Sequence, residues 1–149
     1  MRHRKPRTQY AALPYRLVNG RPEVLLVTSR ETRRWIIPKG WAKKGVKPHE
    51  MAAIEAYEEA GVRGDVGKRP IGSYRYEKRL ADGKTVPCDV TVFPLEIHEE
   101  LESWPEKDQR ERRWLSSSQA ALLISEGGLV GLLLRIGLPP NDEAPATRS

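Results

Sequence analysis

The apolar residues of this chain come in short bursts, each interrupted before it could make a long helix. "YAALPYRLVNGRPEVLLVTS", residues 10–29, holds two such bursts around Asn19-Gly20. That pair suits a two-residue hairpin turn, so the stretch predicts two antiparallel strands. "RRWIIP" predicts a short third strand stopped by Pro38. After a loop, "KGWAKKGVK", Pro48 opens a helix, "PHEMAAIEAYEEA", that closes at Gly61. Proline favours the first helical position and glycine the residue just past the last. "IGSYRYEKRL" and "KTVPCDVTVFPLEI" flank "ADG" as a second, longer hairpin. Pro87 and Pro94 predict that its second strand is irregular or lies on an edge. "RERRWL" predicts a last short strand, and Ser116, Ser117 and Ser118 offer N-caps for a helix through "QAALLIS". "LVGLLLRI", after Gly127-Gly128, predicts another helix. From Pro139 onward the chain reads as a disordered tail, residues 139–149. This order predicts an α+β domain over 10–138: a mixed sheet with helices packed on it.

Composition agrees with one folded domain. The chain has 149 residues, 31% charged and 38% hydrophobic, enough to bury a core. No apolar run approaches the roughly 20 residues that a membrane span needs. The charged N-terminus lacks the apolar segment of a secretory signal. Cys88 is the single cysteine, which excludes an internal disulfide and a cysteine-rich zinc site. The expected compartment is the cytoplasm.

Charge alters the picture at three places. Of the formal +6, Arg2, Arg4, Lys5 and Arg7 account for +4, leaving +2 on the rest. Residues 1–9 therefore read as a basic, flexible arm. Residues 30–47 gather Arg30, Arg33, Arg34, Lys39, Lys43, Lys44 and Lys47 against Glu31 alone, whereas residues 96–111 are rich in acids. A basic stretch followed by clustered carboxylates suits a polyanion held through a divalent cation, although a solvated charged surface gives the same count.

The third place is "EAYEEAGV". On a helix Glu55, Glu58 and Glu59 share a face, while Ile54 and Tyr57 are expected to turn toward the core. The three acids repel one another, and the last two sit where the helix dipole disfavours negative charge. Bound Mg²⁺ or Mn²⁺ reverses that cost, since hard cations take carboxylate oxygens. Alone, the cluster reads equally as a solvated acidic face.

"GWAKKGVKPHEMAAIEAYEEAGV", Gly40 to Val62, resembles the signature of the Nudix hydrolases. Gly40, Glu55, Ala56, Glu58, Glu59, Gly61 and Val62 fall on the family pattern, and "RWIIPKG" is similar to its lead-in. Two positions depart: the family's first glutamate falls on Val46 and its arginine on Ile54. Both are apolar here, so they are expected to form a hydrophobic substitute for the polar support. Over roughly residues 9–136 the chain looks like the diphosphoinositol polyphosphate phosphohydrolases. The resemblance implies a mixed sheet sandwiched between helices and hydrolysis of a phosphoanhydride. It implies Gly40, Glu55, Glu58 and Glu59 as holders of Mg²⁺ or Mn²⁺. Thr28, Ser29 and Arg30 fall on a phosphate-binding segment, and Arg7 on a basic approach. Arg30, Lys39 and Lys43 are expected to bind phosphate oxygens. Trp41 closes the pocket, stacks on a base or simply packs. Glu58 and Glu102 are both candidates for the general base.

Three functions fit these residues. One is a metal-dependent hydrolase of diphosphoinositol or dinucleoside polyphosphates. Another keeps the fold but takes ADP-ribose, a nucleotide sugar or an RNA 5′ end. The last is a non-catalytic binder of polyanions, RNA among them, which retention of all three glutamates disfavours. The expected partner is a phosphorylated small molecule.

Overall fold

The computed structural model describes residues 5–137. The Asn19-Gly20 hairpin forms as expected: both residues have positive φ, 54° and 79°, joining β1 (Arg7–Val18) to β2 (Arg21–Thr28). Around this pair grows one mixed sheet of eight strands. β3 (Trp35–Ile36) and β8 (Arg112–Ser116) pair with β2, and β4 (Lys39–Trp41) pairs with β1. β7 (Thr85–Glu100) runs parallel to β1, and carries β6 (Gly72–Arg79) and β5 (Val62–Val66) antiparallel to it.

Side chains alternate across the sheet, and both faces are buried. Leu13, Val24, Leu26, Val90 and Val92 meet Ala120, Leu129 and Leu133 of α2 (Ser117–Leu123) and α3 (Gly127–Gly137) on one face. Ala12, Leu25, Val27, Phe93 and Leu95 meet Ala52, Ala56 and Ala60 on the other. Burial on both faces is why "VLLV", residues 24–27, is continuously apolar rather than alternating. The result is the predicted sandwich of sheet between helices. Ser116 caps α2 in a reciprocal box: its hydroxyl accepts from the Gln119 N–H at 3.2 Å, and Gln119 Oε1 accepts from the Ser116 N–H at 3.1 Å.

Several expectations need correction. β7 is not at an edge but a central strand, despite its prolines; it is irregular only farther on, where its pairing with β5 skips His98 between Ile97 and Glu99. Pro94 falls where β6 gives way to β5 along β7, and its carbonyl accepts from Gly67 at that break, 2.8 Å. Pro87 lies one position beyond the first β1 partner, Cys88. Neither proline therefore withholds a donor that the ladder uses. The loop after Pro38 contains β4, and the segment after Gly61 contains β5. The basic arm ends earlier than residue 9, because Arg7, Thr8 and Gln9 are already strand and Gln9 is buried. Residues 1–4 and the predicted tail from Pro139 lie outside the described residues.

Candidate active site

The predicted helix is two structures in succession. α1 (Pro48–Glu55) gives way at Ala56 to a π-helical turn, Ala56–Ala60, which ends at Gly61 with φ 67°. A helix end leaves its last carbonyls without partners inside the helix. Here the 101–112 segment supplies donors to four of them in a row. Glu58 O accepts from the Glu106 N–H at 3.1 Å and Glu59 O from Trp104 Nε1 at 3.1 Å. Ala60 O accepts from Arg112 Nη1 at 2.8 Å, and Gly61 O from the Leu101 N–H at 2.8 Å. Arg112 also stacks on the Trp104 ring, 4.0 Å from its centroid. A cation thus does stand at the carbonyl end of this acidic helix, as its dipole favours, but it comes from β8 rather than from the helix itself.

This stitching brings a second group of charges onto the glutamates. Arg110, its side chain 7% exposed, donates from Nε to Glu106 Oε1 at 2.7 Å and from Nη1 to Thr28 O at 2.9 Å. Its Nη2 lies 3.7 Å from Glu59 Oε2. Glu59 is buried, and its Oε1 has no hydrogen-bond partner. The Glu55 carboxylate packs against Gly40, where a Cβ would overlap it. Burial pushes the Glu59 carboxyl up to about 8; Arg110 opposes this, while Glu55 and Glu106 add to it. Burial raises Glu55 as well, the hydrogen bond to Glu59 opposes the rise, and Glu58 and Glu106 add to it. Both carboxyls are therefore harder to ionise than an exposed glutamate, a cost that a bound cation would offset.

These residues fit a hard divalent ion as partial ligands. Among the described residues no group of three or more His, Cys, Asp or Glu side chains is gathered closely enough to enclose a metal. Mg²⁺ does not ask for such a cage: it takes one or two carboxylates and fills its shell with water and substrate phosphate. The unpartnered Glu59 Oε1 is a donor of the required kind.

The other predicted residues divide into two groups. Lys43 is exposed, and its charge reaches Glu55. Glu102 is exposed; the carboxylate of that loop whose charge reaches Glu55 and Glu59 is Glu106. Lys39 and Trp41 leave β4 on the face opposite to the one on which Gly40 meets Glu55. Lys39 pairs with Glu126 at 3.6 Å and lies over Tyr76. Trp41, 36% exposed, lies between Arg7 and Lys78, 5.6 and 5.9 Å from its centroid. Thr28 and Ser29 serve the backbone: Thr28 Oγ1 accepts from the Glu111 N–H and Ser29 Oγ from the Arg34 N–H, both at 2.9 Å. Arg30 is exposed and reaches Gln109 at 3.3 Å. Ile54 is 39% exposed, so the predicted turn into the core does not occur and it cannot replace buried polar support. Sequence reading missed Glu106, Arg110 and Arg112, because nothing in "EKDQRERRW" distinguishes a buried arginine from a solvated one.

The NUDIX domain family matches residues 7–129. The chain belongs to the Nudix family. Its members act on phosphoanhydride bonds and usually depend on a divalent metal. Among Arabidopsis thaliana relatives, this Nudix chain is 34% identical to Nudix hydrolase 13, mitochondrial, over 125 residues, covering 72% of this chain and 62% of that one. It is 37% identical over 105 residues to diphosphoinositol polyphosphate phosphohydrolase 2 of Rattus norvegicus, covering 68% of this chain and 54% of the rat protein. The chain thus spans between half and two thirds of the length of these relatives. In structure it is similar to an Ap4A hydrolase of C. elegans, with a TM-score of 0.62 over 89% of this chain and 96% of the other at 18% identity. Among the described residues no helix is long and apolar enough to cross a membrane.

Proposed function

We propose that this Nudix chain is a Mg²⁺- or Mn²⁺-dependent hydrolase that cleaves a phosphoanhydride in a small polyphosphorylated substrate, of the diphosphoinositol or dinucleoside polyphosphate type. The observation that carries the reading is Glu59: a buried carboxyl with an unpartnered oxygen, pressed against Glu55 and raised by burial to about 8. A fold selected for stability alone has no use for that group, whereas a metal site does. The rat relative, named for diphosphoinositol polyphosphates, supports the substrate class. A cytoplasmic compartment belongs to the same reading, carried by the charged composition and the single cysteine.

Gly40, through its carbonyl, and Glu55, Glu58 and Glu59 would hold the ion, which supplies charge neutralisation on the phosphate oxygens and a more acidic water. The chain's own residues do the rest. Lys43 and Arg30 bind phosphate oxygens at the rim; Lys39 joins them only by leaving Glu126. Arg7 and Trp41, with Lys78 against the same ring, lie on the other face of β4 and would meet only a substrate long enough to pass around its edge. Water attacks one phosphorus, the bond from that phosphorus to the bridging oxygen breaks, and the second phosphate leaves. Glu106 takes the proton from the water, with Glu58 as the alternative within the motif.

A phosphate-release panel with Mg²⁺ tests this, using inositol pyrophosphates, dinucleoside polyphosphates, ADP-ribose and RNA 5′-triphosphate ends. Wild type should hydrolyse at least one class, and Glu59→Gln should lose about 100-fold or more, in the range seen when a group acting on the reacting phosphate is removed. Chelation should abolish the reaction. If wild type cleaves no substrate yet binds polyphosphates, the chain is a polyanion binder instead.

A further inference from the structure

We propose that Arg110 is a positioning residue that does, from outside the motif, what an arginine at the Ile54 position would do: it holds Glu59 in place for the cation. This rests on the metal-dependent reading of the site. Ile54 offers no charge, its side chain is 39% exposed, and α1 contributes no other basic group to the carboxylates. Arg110 is the cation whose side chain is buried among them.

The geometry suits positioning rather than simple pairing. Two edges of the guanidinium are fixed by short hydrogen bonds to Glu106 Oε1 and to Thr28 O, 2.7 and 2.9 Å. Thr28 is itself fixed, because its hydroxyl accepts from the N–H of Glu111, the residue after Arg110. The third edge faces Glu59 at 3.7 Å, longer than a hydrogen bond. Arg110 therefore offsets the charge of Glu59 without occupying its lone pairs, and leaves Oε1 unpartnered for a metal. The contact falls on Oε2, so the other oxygen of the same carboxylate stays open. The same contacts anchor Glu106 beside Glu59, so one side chain fixes two of the acids against β2.

Mn²⁺ titration by electron paramagnetic resonance, alongside thermal unfolding of the metal-free protein, tests this. Arg110→Met should weaken Mn²⁺ binding about 10- to 100-fold, the usual cost of losing a partner of a metal ligand. Ile54→Arg alone should leave the affinity unchanged, because the role is already filled. The double variant Ile54→Arg, Arg110→Met should regain most of what the single variant loses. The proposal is overturned if folded Arg110→Met binds Mn²⁺ as wild type does, or if the double variant folds and regains nothing. It is equally overturned if Ile54→Arg by itself tightens binding tenfold or more, an arm that does not depend on Arg110→Met folding. A wild type that binds no Mn²⁺ overturns the metal-dependent reading together with this proposal. An indifferent Arg110→Met in a wild type that does bind overturns this proposal alone.

Discussion

Glu59 links the chemistry of single residues to stability. Its carboxyl ordinarily titrates at 4.5 and here is raised to about 8, chiefly by burial. Over that window the native state binds more protons than the unfolded chain, so the stability of metal-free protein falls as pH rises from about 4.5 toward 8. One proton contributes up to about 1.4 kcal/mol per pH unit. Urea unfolding in EDTA between pH 5 and 8 should show this decline, and Glu59→Gln, which mimics the protonated form, should flatten it. Mg²⁺ should raise the melting temperature more at pH 8 than at pH 5, because cation and proton compete for the same oxygens. A wild type that gains stability with pH under EDTA would contradict the burial of Glu59. The sequence made the identity of these acids legible through their spacing from Gly40. It did not make their neighbours legible: Glu106 and Arg110 lie some fifty residues on, in a segment with no apolar periodicity to place it.

Among the elements, the decisive one is the junction from α1 into the π turn. A π turn uses the same residues as an α-helix and differs only in which carbonyl each N–H finds, so hydrophobic periodicity does not reveal it. The hairpins, the α2 cap and the Gly61 terminus were legible because each rests on local chemistry: Asn-Gly, Ser-x-x-Gln, a glycine in the left-handed region. β4, β5 and the central place of β7 were not, because these depend on which strands meet. Gly61 tests the junction. An alanine there would carry φ 67° and press its Cβ into the Trp104 ring. The left-handed strain costs about 1–2 kcal/mol and the overpacking about 1–3 kcal/mol more. Gly61→Ala should therefore lower the urea midpoint by an amount equivalent to about 2–5 kcal/mol. Since Trp104 anchors the loop that carries Glu106 and Arg110, hydrolysis at permissive temperature should fall too. Retained activity in a destabilised Gly61→Ala protein would show that the loop does not need this contact.

At the scale of the whole molecule, the two sides of the sheet are joined through β4. Gly40 faces the carboxylates, while its neighbour Lys39 reaches through to the other side and pairs with Glu126 at the start of α3. Tyr74 Oη donates to the second oxygen of Glu126 at 2.9 Å, and Tyr76 Oη donates to Gln9 at 2.7 Å. Burial lowers the Lys39 pKa, and Glu126 and then Glu59 pull it back up. The lysine is thus a cation that carboxylates on both sides of the sheet influence. If Glu126 keeps Lys39 charged inside the fold, Glu126→Gln should cost about 3–5 kcal/mol at pH 7, the price of an unpaired buried charge. Tyr74 can still donate to the glutamine, so the loss reports charge rather than hydrogen bonding. The deficit should shrink as pH rises toward 10, because a lysine whose folded pKa is lowered gains native stability as it deprotonates. Lys39→Met combined with Glu126→Leu should recover most of the stability, and hydrogen exchange at Leu129 and Val130 should rise in the single variant and return in the double. A Glu126→Gln protein as stable as wild type at pH 7 would mean that Lys39 is neutral inside the fold, and that α3 is held to the sheet by its apolar face alone.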